Sequence, residues 1–442
     1  MTREDAMTPA RPGGRLRVGV LPGGPARLAR VGDRAESLGD YRAAGGHREL
    51  PAGAELIGLI ETSGLRGRGG AAFPAARKMR AVRAGAGRPV VIANGEEGEP
   101  TSVKDRWLLR HRPHLVLDGV RHAAAATGAD LAYVYLSDPV AGRSMLDAVA
   151  ELPDPPVEVR VILVEPGYVA GEETAAVRFI NGGPAKPADK PPRPFESGVA
   201  GRPTLVSNVE TLANLPLITG MGVRAYREAG TERSPGTFLM TLGGRVERPG
   251  LYELPLGTMM RTAIESFGGT AGAPAGFLMG GYFGGLLNAR GQDLALDYDT
   301  MAAEGSGLGC GAVTVLDARD CPVRVAAEVM AYFDRGNAGQ CGSCFNGTAA
   351  MSAVLSALAA QTAAVADLDR LRRWSVTLKG RGACATLDGA AALAASLLRE
   401  FPDAPAIHIE GSCPLCRAGE RVGQSAPFAV DVPGAQAELL RN

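Results

Sequence analysis

The 442-residue chain carries 47 basic and 47 acidic side chains, for a formal net charge of zero, and 45% of its residues are hydrophobic. This balance gives bulk charge no role in attracting nucleic acid or an anionic membrane, and the length suits two or three domains with substantial cores. No apolar run approaches the roughly 20 residues of a bilayer span, and the opening MTREDAMTPARPGG has no signal-peptide core, so a cytoplasmic protein without direct membrane insertion is expected.

Residues 1–15 are expected to be a disordered N-terminus. From residue 16 to 236, apolar runs such as PVVIA (89–93), LAYVYL (131–136) and VEVRVILV (157–164) alternate with helix-like stretches. That alternation predicts an α/β sheet. From 237 to 320, FLMTLGG, the turn signal Arg248, Pro249, Gly250, then YELPLG and a short helical run read as a small β-rich unit. From 321 to 403, four stretches with helical spacing of apolar residues predict a helical bundle, and residues 404–442 form a tail with a CxxC pair. Sixty glycines, clustered between the apolar runs, suggest close approach of backbone to ligands.

Four segments carry ligand chemistry. GLRGRGGAAFPAARKM (64–79) exposes the N–H groups of a small-residue loop before a helix, with Lys78 in reach of an anion. Half of such loops are plain turns, and this is not the GxGxxG of a Rossmann turn. NGEEGEPTSVKDR (94–106) follows a predicted strand, where open α/β sheets bind ligands. GYVAGEET (167–174) also follows a strand and ends in Glu172 and Glu173, and SNVET (207–211) offers Ser207 and Asn208 at a helix start. Each acidic segment is equally readable as a solvated loop.

All seven cysteines fall in the last third: Cys310, Cys321, Cys341, Cys344, Cys384, Cys413 and Cys416. That distribution does not suit a disulfide framework. The CxxC of QCGSCFN (340–346) reads as metal ligands or as a redox dithiol. Cys310 and Cys321 lie in apolar settings that suit structural roles.

In this order, the segments GLRGRGGAAFP, KDR, GEET, KPP, NVETL and GQC resemble the NADH-oxidising, FMN-binding iron–sulfur subunit (51 kDa type) of respiratory complex I and its relatives in NAD-linked hydrogenases and formate dehydrogenases. The resemblance covers about residues 64–401. It implies an α/β fold with a Rossmann-like flavin-binding domain, a ubiquitin-like β-grasp domain of the soluble-ligand-binding type, and a C-terminal helical-bundle iron–sulfur domain. Gly67, Arg68, Gly69 and Gly70 would wrap FMN, Lys78 would meet its phosphate, and Asn94, Glu96, Ser207 and Asn208 would hold its ring and ribityl chain. Phe73, Glu97, Tyr168, Gly171, Glu172, Glu173 and Lys190 would surround flavin and NADH. Cys341, Cys344 and Cys384 would ligate a [4Fe-4S] cluster.

The chain departs from the family pattern at four places. Ala72 replaces the glycine of AGF, Arg193 the phenylalanine of KPPFP, and Ala81 an aromatic that stacks on adenine. Ala338 stands where the first cluster cysteine belongs, leaving the fourth ligand unidentified. Cys413 and Cys416 could supply it or bind a metal of their own.

The resemblance implies an NADH dehydrogenase that transfers a hydride to FMN, without a side-chain acid or base, and passes single electrons to the cluster and a partner. That partner is expected to be a thioredoxin-like [2Fe-2S] protein in a hetero-oligomer. The alternatives are a degenerate, non-catalytic binding or scaffold subunit, and a flavoprotein reductase using NADPH or ferredoxin.

Overall fold

A computed structural model describes residues 16–29, 34–153, 155–423 and 426–430. The disorder expected of residues 1–15, and residues 431–442 of the tail, lie outside them.

Strand β1 (Arg17–Val20) does not join the sheet of the four strands that come directly after it. The next four do: β2 (Val90–Asn94), β3 (Leu131–Leu136), β4 (Glu158–Leu163) and β5 (Thr204–Asn208) form an all-parallel sheet in the order β4-β3-β2-β5. β2 is central because Val90, Val91, Ile92 and Ala93 are apolar on both faces, and all four are fully buried. The chain runs outward through β3 and β4, then returns to the other side of β2 as β5. The order therefore reverses between β2 and β5, and ligands bind at the carboxyl ends of strands at such a point. Helix Pro113–Thr127 packs against helix Val209–Met221 on one face.

The remaining strands β6 (Thr237–Gly244), β7 (Gly250–Pro255), β8 (Gly276–Met279), β9 (Leu286–Asn288) and β10 (Ala312–Leu316) form a mixed sheet in the order β1-β7-β6-β10-β8-β9. β1 pairs in parallel with β7, Arg17 opposite Gly250. Residues 16–236 were expected to form one unit, but this ladder places residues 17–20 in the second sheet. The attachment continues at Glu253, fully buried in β7, whose carboxylate accepts N–H bonds from Arg27, Leu28 and Ala29 at 2.8–2.9 Å. The link is invisible to local pattern because its partners lie more than 220 residues apart.

Helices Pro322–Gly336, Gly342–Ala359, Val365–Thr377 and Thr386–Glu400 pack around a core of Val325, Met330, Phe333, Met351, Leu355, Leu371, Leu393 and Leu397. Short helix Ala404–Ile409 closes one end. Among the described residues, no helix is long and apolar enough to cross a membrane.

Candidate functional site

The glycine loop leaves helix Gly53–Ser63 through Gly64, a left-handed C-cap, and folds back on itself. Gly67 donates its N–H to Phe73 O at 2.9 Å, and Arg66 bridges Pro74. The turn uses positive φ at Gly70 (118°) and at Ala72 (50°). A Cβ at Gly69 would sit 3.1 Å from Asn208 Cβ, so the loop backbone lies directly over the end of β5. Arg68 anchors it from beneath. Its N–H reaches Thr211 Oγ1 at 2.8 Å, while its buried guanidinium turns to Tyr298 OH (3.1 Å) and Pro235 O (3.3 Å). Both the side chain and the backbone N–H of Arg68 are therefore spent on holding the loop in place. Phe73 is half exposed under Arg77.

Strand register sets the next group. Asn94 of β2 lies opposite Asn208 of β5, and Ser207 opposite Ala93. Asn94 Nδ2 donates to Gly171 O at 2.7 Å. Asn208 Nδ2 donates to Asp105 Oδ2 at 2.7 Å, and Asn208 Oδ1 accepts from Lys104 Nζ (3.2 Å) and from Glu210 N (3.0 Å). Lys104 is fully buried between Asp105 (2.7 Å) and Glu210 (3.0 Å). Burial opposes its charge, but these two carboxylates hold the ammonium well above the usual lysine range. Glu210 Oε1 also accepts Leu239 N–H at 3.0 Å, joining the two sheets. The motifs KDR and NVET each hold part of this network, but their pairing is not legible locally because Glu210 reaches Lys104 from a different strand–helix junction.

The acidic segment separates into distinct roles. Glu96 is buried, receives Gly167 N–H at 3.4 Å on one oxygen, and has no partner for Oε2 among the described residues. Burial pushes its carboxyl up to about 7. Glu99, not singled out in the sequence, has Oε2 in the same condition and is likewise pushed to about 7 by burial. Glu97 behaves differently. Its carboxylate caps the start of helix Lys104–His111, accepting from Asp105 N (3.2 Å) and Arg106 N (3.1 Å) and pairing with Arg106 Nε. Its side chain, expected beside the nucleotide, is thus engaged in local structure, as the helix start needs an acceptor.

Gly171 lies against this segment so closely that a Cβ there would come within 2.8 Å of Glu96 O. Next to it, Glu172 caps helix Glu173–Ile180, accepting from Thr174 N (2.7 Å) and Ala175 N (3.2 Å). Lys190 pairs with Glu172 at 2.6 Å and Glu173 at 3.5 Å, and Lys78 pairs with Glu173 at 2.9 Å. With three N–H donors, partly exposed Lys78 can hold Glu173 and still offer a donor to a phosphate.

Tyr168 faces the helical domain. Its ring stacks on Phe283 at 5.5 Å and meets Tyr332 and Phe333 edge-on at 5.3 Å. The sequence motif gave no sign of this, since those partners lie over 100 residues downstream.

Cys341 precedes helix Gly342–Ala359, Cys344 lies in its first turn, and Cys384 precedes helix Thr386–Glu400. Cys341 Sγ accepts Ala383 N–H at 3.4 Å, and Cys344 is pushed up to about 11 by burial, then by Cys384 and Cys341 beside it. These three fit thiolate ligation, but Ala338 brings no thiol. Its carbonyl accepts from Lys186 Nζ at 3.0 Å, and Gln340 Nε2 donates to Pro187 O at 2.6 Å, fastening this loop to the α/β domain. The tail cysteines do not fill the gap: Cys413 and Cys416 gather with Cys321 and His408. Cys321, expected to be merely structural, and His408, overlooked, are drawn into that group by the return of the chain after the bundle.

Residues 60–217 match the family described as Nuo51 FMN-binding domain, and residues 324–408 the NADH-ubiquinone oxidoreductase-F iron-sulfur binding region. The chain is 34% identical over 406 residues to the second F-type subunit of NADH-quinone oxidoreductase from Rhizobium meliloti (strain 1021), covering 86% of this chain and 96% of that one. It is 33% identical to NADP-reducing hydrogenase subunit HndC of Solidesulfovibrio fructosivorans, covering 79% and 76%. Among solved structures, a chain of NAD+-reducing [NiFe]-hydrogenase in the H2-reduced state superposes with a TM-score of 0.74 at 31% identity. That match covers 80% of this chain and 62% of the hydrogenase chain.

Proposed function

The chain belongs to the family of F-type NADH-quinone oxidoreductase subunits, and on that premise we propose that it oxidises NADH at a bound FMN and delivers single electrons to an iron–sulfur cluster and a partner protein. The observation that carries this reading is the convergence of the glycine loop, Asn94 and Asn208 at the carboxyl ends of β2 and β5. The residues suit FMN: the loop backbone can approach a flat ring closely, Lys78 stands at one side, and Glu96 keeps a polar atom without a protein partner among the described residues. When bound, FMN takes up a hydride and releases electrons singly.

The chain's own residues bind and orient. Lys104, held between Asp105 and Glu210, donates to Asn208 Oδ1 and so orients its side chain. The bond from Asn94 to Gly171 fixes the facing loop. Such rigidity would help orient bound reactants, and hydride transfer asks for no side-chain proton transfer. The carboxylates Glu172 and Glu173 hold Lys190 and Lys78 beside the loop, so this side of the site is an ion-paired network rather than a net negative patch. Cys341, Cys344 and Cys384 are the ligands the chain offers a cluster.

The finer architecture follows the same reading: a Rossmann-like flavin domain, a β-grasp unit formed by the mixed sheet with helix Met260–Ser266, and a helical-bundle iron–sulfur domain. The relatives' names as subunits support a hetero-oligomer; a cytoplasmic location and a thioredoxin-like [2Fe-2S] electron acceptor are part of the same proposal.

One observation favours NADPH as a second donor. Arg193, exposed after Lys190, carries a guanidinium suited to a phosphate, and HndC is named as NADP-reducing. Anaerobic titration of FMN-reconstituted protein decides. Bleaching of the flavin absorbance by NADH supports the proposal, and a protein that binds no FMN or is unchanged by NADH overturns it. NADPH alone bleaching the flavin would select the second reading.

A further inference from the structure

We propose that Cys321, His408, Cys413 and Cys416 form a closed tetrahedral site for a single zinc ion, distinct from the iron–sulfur ligands, which fastens the C-terminal segment to the helical domain. The four ligand atoms all lie within 4.8 Å of one another. Cys321 Sγ is 3.3 Å from His408 Nε2 and 4.0 Å from Cys413 Sγ. Tetrahedral ligation at Zn–S of about 2.3 Å and Zn–N of about 2.0 Å sets donor separations near 3.5–3.8 Å. The observed spacings bracket that range. A four-iron cluster needs its thiolates on separate corners of a cube, further apart than donors around one ion.

The chemistry of the surroundings agrees. His408 is buried, and its Nδ1 lies 2.8 Å from Ala404 O, so Nδ1–H donates there and the Nε2 lone pair faces the thiols. A ligating histidine is commonly oriented in this way. Gln361 holds the loop from outside, its Oε1 accepting Cys413 N–H at 3.1 Å and its Nε2 donating to Cys416 O at 2.7 Å. All seven cysteines are free, so no disulfide competes for these thiols. Three cysteines and one histidine make a donor set typical of structural zinc, with no position left for substrate.

The site has a structural consequence. Beyond Cys416, Glu420 pairs with Arg324 at 3.0 Å and Gly419 N–H bonds Ala360 O at 2.8 Å. Further on, Phe428 N–H reaches Tyr282 OH at 3.4 Å and Val430 N–H bonds Pro100 O at 2.8 Å. Arg106 Nη2 donates to Val430 O at 3.3 Å. Zinc thus anchors one end of a segment whose other end lies on the acidic loop of the proposed nucleotide site.

Metal analysis of the anaerobically prepared full chain tests this independently of flavin. The expected result is one zinc per chain that survives dialysis. In the Cys413→Ser, Cys416→Ser variant zinc is lost on dialysis while iron and sulfide are unchanged, and trypsin cuts faster at Arg417 and Arg421. His408→Cys keeps the zinc and His408→Ala loses it. Iron and sulfide falling with the tail cysteines would overturn the proposal, as would a zinc-free wild type. If the serine variants do not fold, cobalt added to metal-stripped wild type decides: tetrahedral thiolate bands support the site, and their absence rejects it.

Discussion

Asn94 and Asn208 end neighbouring parallel strands at the same level, and Asn208 Nδ2 lies 3.4 Å from Asn94 O. Their pairing marks the point where the sheet order reverses, and the buried Lys104 reaches this point from a third segment.

Lys104→Met should therefore destabilise the chain by about 3–5 kcal/mol, because it leaves Asp105 and Glu210 buried without a cation. Adding Asp105→Asn and Glu210→Gln should recover much of the loss. Denaturant unfolding of the single and triple variants checks this, and a triple variant no more stable than the single would refute the pairing argument.

Ala72 sits at φ 50°, where a Cβ costs about 1–2 kcal/mol that glycine does not incur. Glycine gains about 0.4–1 kcal/mol of unfolded-state entropy, so Ala72→Gly should stabilise by a net of about 0.8 kcal/mol. A lowered urea midpoint would show that the loop is not strained there.

Glu96 gives a pH signature. Its carboxyl titrates at 4.5 when unperturbed and at about 7 in the fold, owing to burial. Between those values the folded state holds the extra proton, so this group lowers stability as pH rises, with the loss complete above about 7. Glu96→Gln removes the effect: relative to wild type it should gain about 3 kcal/mol at pH 8 and little at pH 4. An equal difference at both pH values would contradict the assignment.

Arg193→Phe should restore a stacking face for adenine. At about 0.5–1.5 kcal/mol for an aromatic pair, the KM for NADH should fall roughly 2- to 13-fold with kcat little changed. An unchanged KM would place Arg193 away from the nucleotide.

Ala338→Cys should raise iron and sulfide per chain and strengthen the paramagnetic signal of the reduced cluster. Lys186 and Gln340 already fasten the backbone around this position, so the new thiol enters a held loop. Iron content equal to wild type would mean that the three existing cysteines already suffice.

The sequence alone was enough to determine the alternation of apolar strands and helices, the family, and the segments that carry ligands, because each is written in contiguous residues. The apolar run at 89–93 reads as a strand of an α/β sheet, and GLRGRGGAAFP as a small-residue loop before a helix. Tertiary structure decided the rest. It assigned Arg17–Val20 to the distant sheet, turned Glu97 toward a helix start and the Arg68 side chain toward Tyr298, and joined Tyr168 to Phe283. It also gathered Cys321 with His408 and the tail cysteines across about 90 residues. Such contacts depend on which groups a long-range fold brings within hydrogen-bond distance, and local periodicity holds no information about that.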